Sequence, residues 1–339
     1  MELGKRKQQI VAATVDAYIR TGEPVGSKLL AELLGNAVSS ATIRNDMADL
    51  AAAGYLVQPH TSAGRVPTAP AFRLYLDQLL SHCSLPEESK QEIDEELVSA
   101  SGDPERLLDR ASDLLADATG VAAAVSTPDG KGTCVQRVEI LPTGSQSAAV
   151  LLMTDSGTLR SRLCRLESGC EPAVLTQLCE SLNREFSGKA LSEIGVASVQ
   201  ALSARLCGNG LLYMPLLTAF LGLVQEASES DIRLSGQFNL LQHPDYPVDR
   251  ARSLLTFLSH RELLTGMLTA NPGGLRVVLG SESPRRELDG SSIIVTQYGQ
   301  GSSGGSLCLI GPVRMDYARA IPRLQYVAQT ISRLLNEFK

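Results

Sequence analysis

Ser39, Ser40, Ala41, Thr42, Arg44 and Asn45, and a little further on His60, Ser62 and Arg65, bring together hydroxyls, an amide, an imidazole and two guanidinium groups. Their natural chemistry is hydrogen bonding rather than bond making. Arg and Asn match the edges of guanine and adenine, and Ala permits close approach to a groove. Hydroxyls, His and a second Arg suit phosphate oxygens. The elements that must position them can be read from spacing. Residues 40–53 form a helix, with Ser39 or Ser40 as N-cap, because a short hydroxyl takes an orphan backbone N–H. Ile43, Met47 and Leu50 recur at i, i+4, i+7 and share one face. Ala41, Asn45, Ala48 and Asp49 lie opposite, flanked by Thr42 and Arg44. Gly54 ends the helix. Residues 55–59 are a short strand and 61–67 a turn-rich tip carrying Arg65.

A helix with Arg and Asn outside is common in any protein, so the preceding residues decide. Residues 8–20 make an amphipathic helix through Ile10, Val11, Val15, Tyr18 and Ile19, which Thr21-Gly22-Glu23-Pro24 breaks. Ser27 caps a shorter helix with Leu29, Leu30, Leu33 and Leu34. Three such helices followed by a strand and a basic tip constitute a winged helix-turn-helix, expected over residues 1–82.

The charge balance refines this. The chain of 339 residues has a formal net charge of −6, which argues against indiscriminate nucleic-acid binding. Residues 1–80 hold eight Lys/Arg against seven Asp/Glu, and the remainder 23 against 30. The basic footprint is therefore local: Lys5, Arg6, Lys7, Lys28, Arg44, Arg65 and Arg73. It fits a specific binder of modest salt sensitivity better than a DNA coater.

Downstream, 71–80 reads as a helix leading out of the module. Residues 87–100 are acidic and helical, either a connector helix or a solvated linker. Asp103-Pro104 opens the next helix, with Leu107, Leu108, Ala111, Leu114, Leu115 and Ala118 as its buried stripe. A buried strand follows at 121–126. Residues 135–141, 148–153 and 159–166 read as an antiparallel meander, followed by helices at 172–186, 199–207 and 211–226. The run 211–224 is apolar nearly all round, so it is either a core helix or a subunit interface. Residues 232–235 are a strand, 249–258 and 261–268 helices, 276–280, 293–298 and 307–310 strands, and 317–338 a long terminal helix. The helix and strand at 103–126 and the strands and helix after 276 belong to one sheet that the middle interrupts. The expected class is α+β multidomain, in which a GAF-like α/β domain, residues 83–127 with a connector and 231–339, is split by an inserted α+β unit at 128–230.

Catalytic chemistry is not encoded in any recognisable form. The Gly-rich 299–305 segment precedes a strand, not a helix, and carries no Gly-Lys-Ser/Thr, so it is no phosphate loop. The four His, at 60, 82, 243 and 260, lack metal-ligand spacing. The seven Cys contain no C-x-x-C pair and read as small buried hydrophobes. No nucleophile–base signature is present. No enzyme activity, cofactor or metal is expected. The longest apolar run is 14 residues and contains Pro215, below the roughly 18 residues needed to span a bilayer. The Lys-rich start has no apolar signal core. A cytoplasmic protein without membrane contact is expected.

At the residues 21–27 (TGEPVGS), 39–45 (SSATIRN), 58–68 (QPHTSAGRVPT), 236–241 (GQFNLL) and 311–317 (GPVRMDY) the sequence resembles the heat-inducible transcription repressor HrcA family. The resemblance spans nearly the whole chain and is thinnest over 128–230. It implies a homodimeric repressor of chaperone operons that binds an inverted-repeat operator on double-stranded DNA. It also implies that heat inactivates the protein, that chaperonin is the partner keeping it folded and active, and that the inserted unit is a dimerisation domain. Within that unit Leu217, Phe220 and Leu221 are the interface candidates. An inverted repeat is also what two-fold protein symmetry demands. The alternative is a one-component regulator controlled by a small ligand inside the GAF-like domain.

Overall fold

The computed structural model describes residues 3–60, 63–79, 84–128, 130–166, 171–206, 210–269, 274–299 and 304–337. Helices α1 (Lys5–Thr21), α2 (Ser27–Leu33) and α3 (Ser40–Ala52) come first, then the antiparallel pair β1 (Leu56–Val57) and β2 (Val66–Pro67). α4 (Ala69–Leu79) leads away from them. The acidic segment forms α5 (Glu87–Ser99), which is docked rather than solvated. Its Ile93 and Leu97 are buried, and its Asp94 accepts hydrogen bonds from Tyr326, Thr330 and Arg333. α6 (Pro104–Thr119) starts where its cap dictates: the Asp103 side chain accepts the Glu105 N–H at 2.9 Å.

After β3 (Ala122–Ser126) the chain leaves the main sheet. It makes a separate antiparallel meander, β4 (Val135–Gly144), β5 (Ser147–Thr154) and β6 (Leu159–Arg165), then α7 (Pro172–Phe186), α8 (Val196–Arg205) and α9 (Gly210–Ser228). α8 starts earlier than its apolar pattern suggests because Ser198 closes its first turn. The Ser198 hydroxyl accepts the Gly195 N–H at 3.1 Å and donates to the Gly195 carbonyl at 2.8 Å. The return path is β7 (Ile232–Ser235), α10 (Gln237–Gln242), α11 (Val248–Ser259), α12 (Arg261–Thr269), β8 (Arg276–Leu279), β9 (Ser291–Tyr298), β10 (Gly305–Pro312) and α13 (Tyr317–Asn336).

The main sheet has the order β7-β3-β10-β9-β8, every pair antiparallel. β7 extends the interrupted sheet at the edge beside β3, a place the pattern of the later strands does not reveal. β3 and β10 are buried on both faces, so they read as unbroken small or apolar runs rather than alternating ones. Ala123, Val125, Leu307 and Leu309 face a core shared with α6 and α13. Ala122, Ala124, Cys308 and Ile310 face a core shared with α10, α11 and α12. Burial raises the Cys308 thiol to about 12, which keeps it an inert packing group. Cys134, Cys164 and Cys179 are also free thiols, each raised chiefly by burial, while Cys83, Cys170 and Cys207 lie outside the described residues.

The inserted unit has a core of its own. Val138, Val150 and Leu152 on one sheet face pack with Leu178 and Leu182 of α7 and with α9. Here the interface expectation is corrected. Leu217 and Phe220 are 1% and 0% exposed within the single chain, and Leu221 packs half-buried against the same core. The Phe220 ring lies 5.2 Å from that of Phe186. α9 carries so many apolar residues because one side covers the sheet and another meets Phe186 of α7 and the helix α8, while Met214 and Thr218 stay exposed. A charged network ties this unit to the main sheet: Arg160 pairs with Glu105, Arg233 with Glu105 and Asp109, and Arg261 with Asp231 at 2.6 Å. No helix of the described residues is long and apolar enough to cross a membrane.

Candidate nucleic-acid interface

The helix that begins at Ser40 is fixed at both faces of its amphipathic pattern. Ile43, Met47 and Leu50 are buried with Ile10, Val11 and Val15 of α1 and Leu30 of α2. The Ser39 hydroxyl accepts the Thr42 N–H at 3.2 Å and lies 2.9 Å from the Thr42 hydroxyl, so the first turn is capped by the residue type expected there. With that face anchored, Ala41, Arg44, Asn45 and Ala48 are left exposed in a row, beside the half-buried Ser40 and Thr42. Ser39 is exposed at the same end.

A further group was missed in the sequence. Asp46 occupies the apolar face, between Ile43 and Leu50, and is 4% exposed. Its carboxylate accepts both Nε and Nη2 of Arg6, at 2.8 and 3.0 Å, a two-point fork that fixes the roll of α3 against α1. Lys7 pairs with Asp49 at 2.8 Å. The signal was available: an acid at i+3 on an apolar face needs a cation, and a Lys-Arg-Lys run opens the helix that packs there.

Those pairings change the basic footprint. Arg6 and Lys7 are spent on acids of α3. Arg73 turns away altogether, binding Glu282 and the Val277 carbonyl of the main sheet. Lys5, Lys28 and Arg44 remain exposed at the surface.

The hairpin after α3 is pinned at its base and along its length. Thr68 donates to the carbonyls of Gly54 and Tyr55, and the Gln58 amide donates to the Ala63 carbonyl at 3.1 Å. Arg65 and Val25 exchange both backbone hydrogen bonds at 2.8 Å, an isolated β-bridge that ties the segment between α1 and α2 to the residue before β2. Gly64 is required for this approach, since a side-chain carbon there would fall 2.5 Å from the Val25 carbonyl group. Arg65 is half-buried at this ladder. His60 is exposed, and its carbonyl accepts the Ala63 N–H at 2.9 Å, so its backbone stabilises the turn. Ser62 lies outside the described residues. The structure thus brings the α3 residues and Arg65 onto neighbouring elements, since β1 follows α3 and pairs with β2, which Arg65 precedes. Among the described residues no group of His, Cys, Asp and Glu could hold a metal ion.

The family model for the HrcA protein C-terminal domain matches residues 105–321. The heat-inducible transcription repressor HrcA of Desulforudis audaxviator is 33% identical, covering 99% of both chains. That of Geobacter sulfurreducens is 33% identical and covers 98% of each. This chain belongs to the heat-inducible transcription repressor HrcA family. A solved crystal structure of a hypothetical protein shares the fold, with a TM-score of 0.68 and 24% identity over 100% of both chains. The HrcA C-terminal match begins in α6, after the candidate interface. The full-length HrcA relatives extend the similarity across it.

The Arg6–Asp46 and Lys7–Asp49 pairs should differ in consequence. Asp49 is 64% exposed and rehydrates when its partner is lost, whereas the Asp46 side chain is 6% exposed and cannot. Arg6→Ala should therefore lower the thermal midpoint more than Lys7→Ala, measured by circular dichroism. Equal midpoints would remove the structural role assigned to the fork.

Proposed function

We propose that this chain is a non-enzymatic, cytoplasmic repressor of heat-shock chaperone operons that binds an inverted-repeat operator as a dimer. The observation that carries the reading is the exposed row Ala41, Arg44, Asn45 and Ala48, on a helix whose other face is locked into a three-helix core. Together with the pinned hairpin it supports a winged helix-turn-helix reading of the N-terminal unit, with α3 as the recognition helix. Membership of a family of repressors supplies the biological context. In this reading Arg44 and Asn45 meet base edges, while Ser39, Thr42, His60, Ser62 and Arg65 approach the sugar–phosphate backbone.

The remainder follows the same logic. The five-stranded sheet with helices on both faces supports a GAF-like unit. On its α10–α12 side Tyr246, Leu254, Phe257, Leu258 and Leu264 are all buried, which favours control without an effector enclosed among them, and the cavity of about 390 Å³ between α12 and the β8–β9 pair is the place where the rival's ligand would sit. The inserted unit is the proposed dimerisation domain, but through a different surface from α9. The outer face of its sheet exposes Leu141, Met153, Leu159 and Leu163, with Leu141 and Leu163 aligned on either side of Ala149. An apolar sheet face of this kind fits a second copy of itself, related by the same two-fold axis that an inverted repeat requires. Chaperonin is the proposed partner that restores the fold after heat.

Three measurements test this. Arg44→Ala and Asn45→Ala should each cost roughly 1–3 kcal/mol of operator binding. Arg65→Ala should weaken all DNA alike and lower the log–log salt slope by about 1. Wild-type affinity in both folded α3 variants would mean that α3 is not the reading helix.

Leu163→Asp should give monomers with a native circular dichroism spectrum, because it charges an exposed face. Phe220→Asp should instead unfold the inserted unit, because an unpaired charge in a core costs several kcal/mol. A dimer that survives Leu163→Asp in sedimentation would move the interface elsewhere.

Refolding after heat, read as operator binding, should recover more protein with chaperonin and its nucleotide than without. Equal recovery would remove chaperonin from the scheme.

A further inference from the structure

Three motifs singled out in the sequence are not fully explained by the proposed DNA surface: 21–27 at the end of α1, 236–241, which Asp245 follows closely, and 311–317 at the end of β10. The fold brings them to one place. Arg314, leaving β10, reaches the end of α1 and donates from Nη1 to the Ile19 carbonyl at 3.4 Å. Its guanidinium lies flat on Gly22, where a methyl group would sit 2.8 Å from Cζ and where φ is +72°. Its Nε pairs with Asp245. Both side chains are mostly shielded, at 18% and 25% exposure. Asp245 is itself held: the neighbouring Tyr246 hydroxyl donates to Ser291 of β9 at 3.0 Å inside the core, and the Asp245 N–H donates to His243 Nδ1 at 3.3 Å.

Near this contact the packing is aromatic, and farther along α4 Arg73 makes the joint's other guanidinium contact, with Glu282 and the Val277 carbonyl. Phe72 of α4 lies 6.5 Å from Tyr317 of α13 and 6.5 Å from Tyr18 of α1, both edge-on. Apolar contact holds surfaces together without fixing their angle. A guanidinium fork does fix one, and here it also satisfies a last-turn carbonyl and meets the negative end of the helix dipole. The angle matters because α1 is a lever. Its 17 residues span about 25 Å at 1.5 Å per residue. A rock of about 10° at Arg314 would therefore carry Arg6, and with it the Asp46 fork and α3, by roughly 4 Å, well beyond a hydrogen bond's tolerance.

We propose that Arg314, oriented by Asp245, is a positioning residue that sets the angle of α1 and hence of α3 on the rest of the chain, so that both recognition helices of a dimer meet their half-sites together. This rests on the DNA-binding reading above, and its test separates the two. Ketone-bearing residues placed at the exposed Glu32 of α2 and Glu262 of α12 take spin labels without using the native thiols. Their distance distribution is recorded by electron double resonance, with labelled chain diluted into unlabelled chain and no DNA. Wild type should give a narrow distribution. Arg314→Met should broaden it and Arg314→Lys should restore part of the narrowing. In parallel, Arg314→Met should bind an isolated half-site duplex like wild type, yet lose about tenfold or more on the full inverted repeat, where simultaneous engagement depends on geometry. Asp245→Asn, nearly isosteric, should broaden the distribution in the same way and carries the test if Arg314→Met fails to fold. An unchanged distribution in the folded variants overturns the proposal. A wild type that binds no inverted repeat overturns the DNA reading, while the distances still judge the joint.

Discussion

The whole arrangement depends on a five-residue strand that cannot be completed locally. Ala122–Ser126 lies between β7 and β10, pairing Val125 with Arg233 on one side and Leu307 on the other. Both partners come after the inserted unit. The Ser126 hydroxyl and carbonyl are likewise reserved for late residues, accepting from the Ser306 N–H at 2.8 Å and the Tyr298 hydroxyl at 2.6 Å. Until the meander and its helices have collapsed, β3 presents unpaired backbone and two apolar faces. Non-local pairing of this kind is slow and leaves surface exposed during folding. That property is what makes dependence on a chaperonin a physical proposal rather than a borrowed one. It arises from topology.

Charge is distributed with a similar economy. A chain with net charge −6 uses several of its N-terminal cations internally. Arg6 orders α3, Lys7 offsets Asp49, and Arg73 anchors α4 to the main sheet. What remains exposed there is few in number: Lys5, Lys28 and Arg44. Such a surface gains little from counterion release and must rely on geometry, so the angle of α3 becomes the quantity worth controlling. The Asp46 fork and the Arg314 joint are successive constraints on that angle, one within the helical unit and one between it and the sheet.

Much of this was legible beforehand, for identifiable reasons. Ser39, Ile43, Met47 and Leu50 give α3 its start and its buried face by spacing alone, and Asp103-Pro104 does the same for α6. The split sheet was visible in the order of elements, a helix and strand at 103–126 and strands and a helix after 276. Other features were hidden because they depend on distant partners. Nothing local to Arg73 reveals that it meets Glu282 rather than phosphate. The Val25–Arg65 bridge requires knowing that the turn after α1 is extended. The exposed face sought on α9 was misplaced because an all-round apolar helix is equally well explained by a crowded core, and Phe186 and the sheet supply that crowding.

The better signal for an interface lay earlier in the same unit, in β5. β5 reads Ala148-Ala149-Val150-Leu151-Leu152-Met153, apolar at every position. A strand with one wet face alternates, whereas one covered on both faces does not. Ala148, Val150 and Leu152 are accounted for by the core beneath α7 and α9. Ala149, Leu151 and Met153 point the other way, with Leu141 and Leu163 flanking Ala149 and Leu159 opposite Met153. Leu163 is 69% exposed and Leu159 53%, on a surface where Glu139 and Ser161 flank Leu151, Arg137 pairs with Glu139 and Arg165 lies at the border. The sequence therefore carries a second apolar face that this chain's own helices do not cover. A self-complementary partner would cover it with the same residues, which is the geometry an isologous dimer supplies.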